Sequence, residues 1–311
     1  MTAARDHGGG IDAAIRLYGG TRHGWLDLST GINPVPYPLP ALPADAWTAL
    51  PDTGAFTRLN DLARQFWNVP AGAAVLPATG ASAIIAALPR VLPPGAVRIP
   101  APTYNEHAAA FRSAGWTVAD TAADALVVVH PNNPDGKIWT PDALTAPITI
   151  IDESFCDVTP DLSLIQLADR PGTIVLKSFG KFWGLAGLRL GFAIGDPALI
   201  AQLADMLGPW QISGPALSIG AAALADANWA ATTRVRLVAD SDRLDRLITT
   251  EGAEVIGGTT LFRLYRVDDA ARWQDRLAQG HVWSRIFPYA DNWLRLGLPA
   301  PDRWDQLEAA L

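Results

Sequence analysis

One segment concentrates residues that can do chemistry. In Ser178-Phe179-Gly180-Lys181-Phe182-Trp183-Gly184-Leu185-Ala186-Gly187-Leu188-Arg189-Leu190-Gly191, a lysine sits among apolar and aromatic residues, and an arginine follows eight positions later. An apolar setting disfavours the ammonium form, which lowers the lysine pKa and leaves a nucleophilic amine. The glycines let a ligand approach the backbone closely, and arginine suits a bidentate phosphate contact. Taken alone, the segment fits an ordinary surface lysine beside a structural arginine equally well.

Further polar groups fall where short apolar runs end. His130-Pro131-Asn132-Asn133 closes one run, Asp152-Glu153-Ser154 another, and residues 178–181 a third. The runs at 96–100, 125–130, 149–152, 173–177 and 190–194 are rich in Val, Ile and Leu, the composition of strands covered on both faces. Helical stretches separate several of them, at 105–114 and 141–144 for example. This alternation predicts an α/β domain with a mostly parallel sheet, and ligands of such sheets gather at the carboxyl ends of strands. Thr79-Gly80-Ala81-Ser82-Ala83 opens a helical run, and the free N–H groups and positive dipole of a helix N-terminus suit a phosphate.

Past residue 214 the pattern predicts helices at 215–227 and 230–250, strands at 260–267, 281–286 and 293–298, and helices at 270–279 and the end. That order implies a smaller α+β domain. Residues 31–52 carry Pro34, Pro36, Pro38, Pro40, Pro43 and Pro51, a run that reads as an extended segment across a surface or as a plain linker. No fixed-period repeat is present, and no G-x-G-x-x-G follows a strand.

Composition bounds the rest. At 311 residues, 49% hydrophobic and 18% charged, the chain is globular and long enough for a large domain with a smaller companion. A net charge of -7 without a Lys/Arg cluster gives a nucleic-acid partner no electrostatic support. Cys156 is the sole cysteine, so no disulfide framework exists, no metal site is expected and a reducing cytoplasm fits. No secretory signal or membrane-spanning run is expected.

The lysine segment resembles the cofactor-lysine motif of fold-type I pyridoxal-phosphate enzymes. Within them it is most similar to the histidinol-phosphate aminotransferase branch, with Ser178, Lys181, Gly187, Arg189 and Gly191 at the family's spacing. The resemblance implies an aspartate-aminotransferase-like α/β fold: an N-terminal arm (1–44) packing on the small domain and active site, a large cofactor domain (45–228) with a mostly parallel central sheet, and a small α+β domain (229–311). It makes Lys181 the Schiff-base lysine. Ser178 and Arg189 would hold the cofactor phosphate, with Gly80, Ala81 and Ser82 as the first phosphate loop. Tyr104, in Pro102-Thr103-Tyr104, would stack on the ring, and Asn133, in the loop running on to Pro134-Asp135-Gly136, would bond its hydroxyl. Asp152, in Ile151-Asp152-Glu153-Ser154-Phe155, would face the pyridine nitrogen, where a carboxylate keeps the ring protonated and an electron sink. Arg295, in Trp293-Leu294-Arg295-Leu296, resembles the late arginine that pairs with a substrate carboxylate.

A narrower resemblance is carried by His7-Gly8-Gly9 ahead of Leu26-Asp27-Leu28-Ser29-Thr30-Gly31-Ile32-Asn33-Pro34, which is similar to the N-terminus of the threonine-phosphate decarboxylases of cobalamin biosynthesis. Phe155 also stands where transaminating relatives commonly have tyrosine. This implies decarboxylation of L-threonine O-3-phosphate, with Arg295 and Asn133 on the carboxylate and His7, Asn33 and Arg285 as candidates for the substrate phosphate. Transamination of a phosphorylated substrate such as histidinol phosphate is one alternative, and a non-catalytic assembly protein on the same fold is another. The family also implies a cytoplasmic homodimer with its active site at the subunit interface. Leu50 stands where the family often has the tyrosine that reaches the neighbouring subunit's phosphate.

Overall fold

The computed structural model describes residues 7–121 and 123–311, so residues 1–6 of the expected arm lie outside the described residues. The described residues divide into two units, a larger one within 36–133 and 138–232 and a smaller one within 7–35, 134–137 and 233–311.

In the larger unit the Val/Ile/Leu runs become the middle of a seven-stranded sheet. Its order is Ala74–Ala78, Gly191–Gly195, Thr173–Ser178, Ile148–Asp152, Ala125–Val129, Ala96–Arg98, Thr117–Ala119. All five residues of Ala125–Val129 are buried, as a strand covered on both faces requires. The strands from Thr173–Ser178 to Thr117–Ala119 are parallel, but Gly191–Gly195 runs antiparallel to both neighbours. Its reversal needs no long crossover, because only the loop holding Lys181 separates it from Thr173–Ser178. The carboxyl ends of Ala74–Ala78, Ala125–Val129, Ile148–Asp152 and Thr173–Ser178 therefore share one edge with the start of Gly191–Gly195.

Helices cover the sheet, and their ends follow local chemistry. Asp52 accepts from Ala55 N to start Thr53–Trp67, and Asn68 ends it in the left-handed region. Asp196 caps Pro197–Leu207 in the same way, and Ser213 caps Gly214–Ala225. The expected helix at 141–144 is instead a 3-10 turn, Pro141–Ala143, too short to nucleate an α-helix. An aromatic stack supports the Lys181 loop: Trp183 lies between Phe179 and Trp229, at centroid distances of 5.1 and 5.3 Å and interplanar angles of 13° and 12°.

Three boundaries differ from expectation. Residues 36–44 belong to the larger unit, because Tyr37 N donates to Trp183 O and Tyr37 OH to Ala222 O. Residues 229–232 stay there too, with Trp229 in the aromatic stack. Residues 134–137 instead join the smaller unit: Gly258 N donates to Asp135 O at 3.0 Å, and a Cβ on Gly136 (φ 72°) would stand 2.0 Å from Gly258 O.

The smaller unit holds an antiparallel sheet ordered Arg285–Phe287, Ala290–Gly297, Phe262–Arg266, Glu254–Thr259. A separate parallel pair joins Leu26–Asp27 to Val282–Trp283, and Gly297 N donates to Leu28 O at 2.7 Å. The expected strand at 281–286 is thus two strands serving two sheets. Glu254–Thr259 escaped the sequence pattern because Gly257 and Gly258 interrupt its apolar run. Among the described residues, no helix is long and apolar enough to cross a membrane.

Candidate active site

At the shared strand edge the backbone prepares an anion site. Ala74–Ala78 ends at Thr79-Gly80, and Gly80 (φ 79°, ψ 156°) starts helix Ala81–Val91 with no side chain capping its amides. Gly191 packs directly behind: a Cβ there would lie 2.4 Å from Ala81 N and 2.8 Å from Gly80 C. Arg189, left-handed at φ 54°, donates to Ala186 O at 2.9 Å and lays its guanidinium against Gly80, where a Cβ would meet Nη2 at 2.6 Å. Ser178 Oγ accepts from Gly180 N at 3.2 Å and lines the same cavity as Ala81, Ser82 and Arg189. Helix amides, a hydroxyl and a guanidinium together favour a phosphate. Gly191→Ala is expected to cost roughly 1–3 kcal/mol of stability, since backbone on both sides must move, and to weaken cofactor retention; urea unfolding and cofactor titration read the two effects.

Lys181 is half-buried, its Nζ 5.4 Å from the centre of the Phe155 ring. The same cavity is lined by Tyr104, Asn133 and Asp152. Asp152 is buried, with Oδ2 2.9 Å from His107 Nε2 and Oδ1 accepting from Ser154 N (3.0 Å) and Ser154 Oγ (2.5 Å). Burial pushes this carboxyl upward, but His107 and the Ser154 hydrogen bonds prevail and hold it below the usual carboxylate range. An ionised carboxylate is thereby kept in a buried place.

These residues fit pyridoxal phosphate: an anion cradle, an amine, and a buried carboxylate whose lowered pKa keeps it ionised at neutral pH. The structure therefore brings Gly80, Ala81, Ser82, Tyr104, Asn133, Asp152, Ser178, Lys181 and Arg189 to one edge of the larger unit. His107 was not singled out from sequence. Its signal is its position three residues after Tyr104 on helix Asn105–Ser113, where the two rings meet edge to face at 6.1 Å.

The remaining candidates belong to the smaller unit. His7 is exposed, and Asn33 is buried with Oδ1 accepting from Arg236 Nη2 (2.5 Å) and Val35 N (3.1 Å). Arg285 and Arg295 are directly opposite in the antiparallel register, so both side chains leave one face of the sheet. Arg295 is buried, donates to Ser29 O at 2.6 Å and lies 5.1 Å over the Phe262 ring. Arg285 lies 5.4 Å over Phe287. Leu50 is exposed.

His130, Glu153 and Cys156 also converge, with potential ligand atoms within 4.8 Å of one another. Their atoms are engaged internally: His130 Nε2 with Leu162 O, His130 Nδ1 with Trp139 N, Glu153 with Ser163, Leu164 and Lys177, and Cys156 Sγ with Thr159 O. Burial lifts the Cys156 thiol far above its ordinary pKa.

A layered α/β domain with an amine, an anion cradle and a buried carboxylate at its strand ends defines a cofactor-dependent enzyme of the pyridoxal-phosphate type. Comparison with known proteins agrees. The model of the family "Aminotransferase class I and II" matches residues 39–125 and 118–310. A threonine-phosphate decarboxylase of Pseudomonas aeruginosa is 41% identical over 98% of this chain and 97% of its own length. A histidinol-phosphate aminotransferase of Mycobacterium bovis is 34% identical over 63% of this chain and 60% of its own. The structure of the Sinorhizobium meliloti histidinol-phosphate aminotransferase in complex with pyridoxal-5'-phosphate superposes with a TM-score of 0.84 at 17% identity, covering 99% of this chain and 94% of that one. The chain belongs to the class I and II aminotransferase family, in the fold-type I branch that holds histidinol-phosphate aminotransferases and threonine-phosphate decarboxylases.

Proposed function

We propose that this protein decarboxylates L-threonine O-3-phosphate to (R)-1-aminopropan-2-ol O-2-phosphate, the reaction that serves cobalamin biosynthesis. The observation that carries this reading is the 41% identity to the Pseudomonas decarboxylase over 98% of the chain, against 34% over 63% for the Mycobacterium aminotransferase. Two features support it. Phe155 lies within 5.4 Å of Lys181 Nζ and has no hydroxyl to donate to a ring oxygen. Arg285 and Arg295 stand as cross-strand neighbours, and two permanently charged guanidinium groups suit a substrate bearing both carboxylate and phosphate.

Pyridoxal phosphate, when bound, supplies a protonated ring that takes up the electron pair released at the substrate's α-carbon. The chain's residues do the rest. Ser178, Arg189 and the amides of Ala81 and Ser82 would anchor the cofactor phosphate. Asp152 would keep the proton at the ring nitrogen, Asn133 would donate to the ring oxygen and Tyr104 would stack on the ring. The hold on the substrate carboxylate would choose which bond at the α-carbon breaks; Asn133 and Arg295 are the candidates for it, and Arg285, His7 and Asn33 are the candidates for the substrate phosphate. Loss of the carboxylate as carbon dioxide would leave the α-carbon in need of a proton, and the Lys181 amine would supply it. A cytoplasmic homodimer is the assembly that goes with this reading.

Transamination of a phosphorylated substrate is the second reading, favoured by the Mycobacterium relative. Incubation with L-threonine O-3-phosphate separates the two. Carbon dioxide and the amino alcohol phosphate in equal amounts are expected; formation of an oxo acid with pyridoxamine phosphate, and no carbon dioxide, would overturn decarboxylation.

A further inference from the structure

Behind the strand ends that carry Asp152 and Lys181 lies a charged cluster that this chemistry leaves unused. Glu153, Asp157 and Lys177 are 1%, 4% and 1% exposed, so none serves solubility. Lys177 Nζ is 2.6 Å from Glu153 Oε2 and 3.4 Å from Asp157 Oδ1. Glu153 also accepts from Ser163 Oγ at 2.6 Å and Leu164 N at 2.5 Å. Asp157 accepts two indole N–H bonds, from Trp67 at 2.9 Å on Oδ1 and from Trp183 at 3.2 Å on Oδ2. Burial works against the Lys177 charge, but Glu153 and Asp157 outweigh it and keep the amine an ammonium.

Buried ion groups of this kind are often no more stabilising than apolar residues of similar volume. Stability alone is a weak reason for this one, and its connections suggest another. Trp67 closes helix Thr53–Trp67, Lys177 lies on strand Thr173–Ser178, and Trp183 comes two residues after Lys181 in the loop. That loop is folded on itself, with Leu185 N donating to Phe179 O and Gly184 N to Lys181 O, both at 3.1 Å. These bonds tie Lys181 and Trp183 into one folded loop, so the setting of Trp183 bears on Lys181 two residues before it. Phe179 and Trp229 stack on the buried Trp183 indole while Tyr37, Phe66 and Phe182 meet it at steeper angles. To this apolar packing the N–H bond to Asp157 adds a directional contact, which fixes where the indole nitrogen points.

We propose that Asp157 is a positioning residue for Lys181, acting through the Trp183 indole, with Lys177 and Glu153 holding the Asp157 carboxylate in place. This rests on the reading of Lys181 as the cofactor lysine. It adds that a carboxylate outside the cavity sets the amine's aim.

The test uses Asp157→Asn, Trp183→Phe, the double variant, and Trp67→Phe as the scaffold control. Three quantities are measured: kcat per bound cofactor and KM with L-threonine O-3-phosphate, visible circular dichroism of the holoenzyme, and deuterium exchange of residues 179–185 in the cofactor-free protein. Asp157→Asn and Trp183→Phe are each expected to lower kcat about 10- to 100-fold, the scale of a small misplacement of a reacting group. KM should change little, the visible dichroism should alter, and exchange at 179–185 should quicken without cofactor. The double variant should be no worse than the more damaging single one within about threefold, because both remove one link. Trp67→Phe should lower stability and leave kcat within about twofold, since its bond to the same carboxylate comes from the scaffold.

Multiplying effects in the double variant, or unaltered kcat, dichroism and exchange with only a lower melting temperature, would overturn the proposal. If Asp157→Asn does not fold, Trp183→Phe and Trp67→Phe carry the comparison. A wild-type protein without a visible cofactor band would sink the cofactor reading instead, and the exchange measurement would still decide the Asp157–Trp183 link.

Discussion

Lys181→Ala is expected to abolish turnover and the visible band of the bound cofactor together, and to leave nothing for borohydride to trap on the chain. The amine is asked for two things, covalent capture of the cofactor and proton return to the α-carbon. Loss of general acid–base assistance alone costs about 10²–10⁴-fold, so the fall should reach at least that range. Phe179, Phe182 and Trp183 keep the loop buried on either side, and alanine leaves their packing intact. The variant should therefore fold normally and still bind cofactor through Ser178, Arg189 and the Ala81 and Ser82 amides, more weakly and without colour. Soluble, folded protein that retains both turnover and colour would mean that another amine does the chemistry. Peptide mapping after borohydride reduction of the wild type identifies the modified lysine directly.

Asp152→Asn carries the second large effect. In the proposed function the carboxylate would be one member of a charge-assisted contact to the ring nitrogen, worth about 1.5–3 kcal/mol or roughly 10- to 100-fold in rate. Its removal should lower kcat more than cofactor affinity, which the phosphate cradle supports independently. Oδ2 faces His107 and Oδ1 faces Ser154, so the neutral amide must confront groups arranged around an anion. The pH dependence has a definite sign. The folded-state pKa of Asp152 is depressed, so its stabilising contribution is complete at neutral pH and disappears as pH falls through the folded value. Wild-type unfolding free energy should drop on acidification partly for this reason, and Asp152→Asn should flatten that dependence. An unchanged acid limb in the variant would show that His107 does not hold the carboxylate charged.

Much of the site could be read before the fold was seen because cofactor chemistry is local in sequence. Ser178, Lys181, Arg189 and Gly191 lie on one loop and the two strand ends that flank it, close enough in sequence to be read as one motif. Asp152 and Asn133 could be read because they follow apolar runs whose burial was evident. His107 was missed although it sits beside Tyr104, because a histidine on an amphipathic helix looks like any half-buried residue until its partner is known. Glu153, Asp157 and Lys177 were harder still. Charged residues inside apolar segments pass for solvent-facing positions, and only the packing of helix Thr53–Trp67 beside strand Thr173–Ser178 makes them a buried set.

The sequence by itself determined the middle strands of the larger unit, where several of them end in polar residues, and the lysine, aspartate and arginine that the structure brings to one sheet edge. Those follow from short-range physics: apolar runs that must be covered, helix ends that need caps, and a turn that needs glycine. Tertiary structure alone decided the antiparallel setting of Gly191–Gly195, the assignment of residues 134–137 to the smaller unit, the splitting of 281–286 between two sheets, and the pairing of His107 with Asp152 and of Trp183 with Asp157. Each depends on a partner tens to hundreds of residues away or on which sheet edge stands open, and no local pattern of residues encodes that choice.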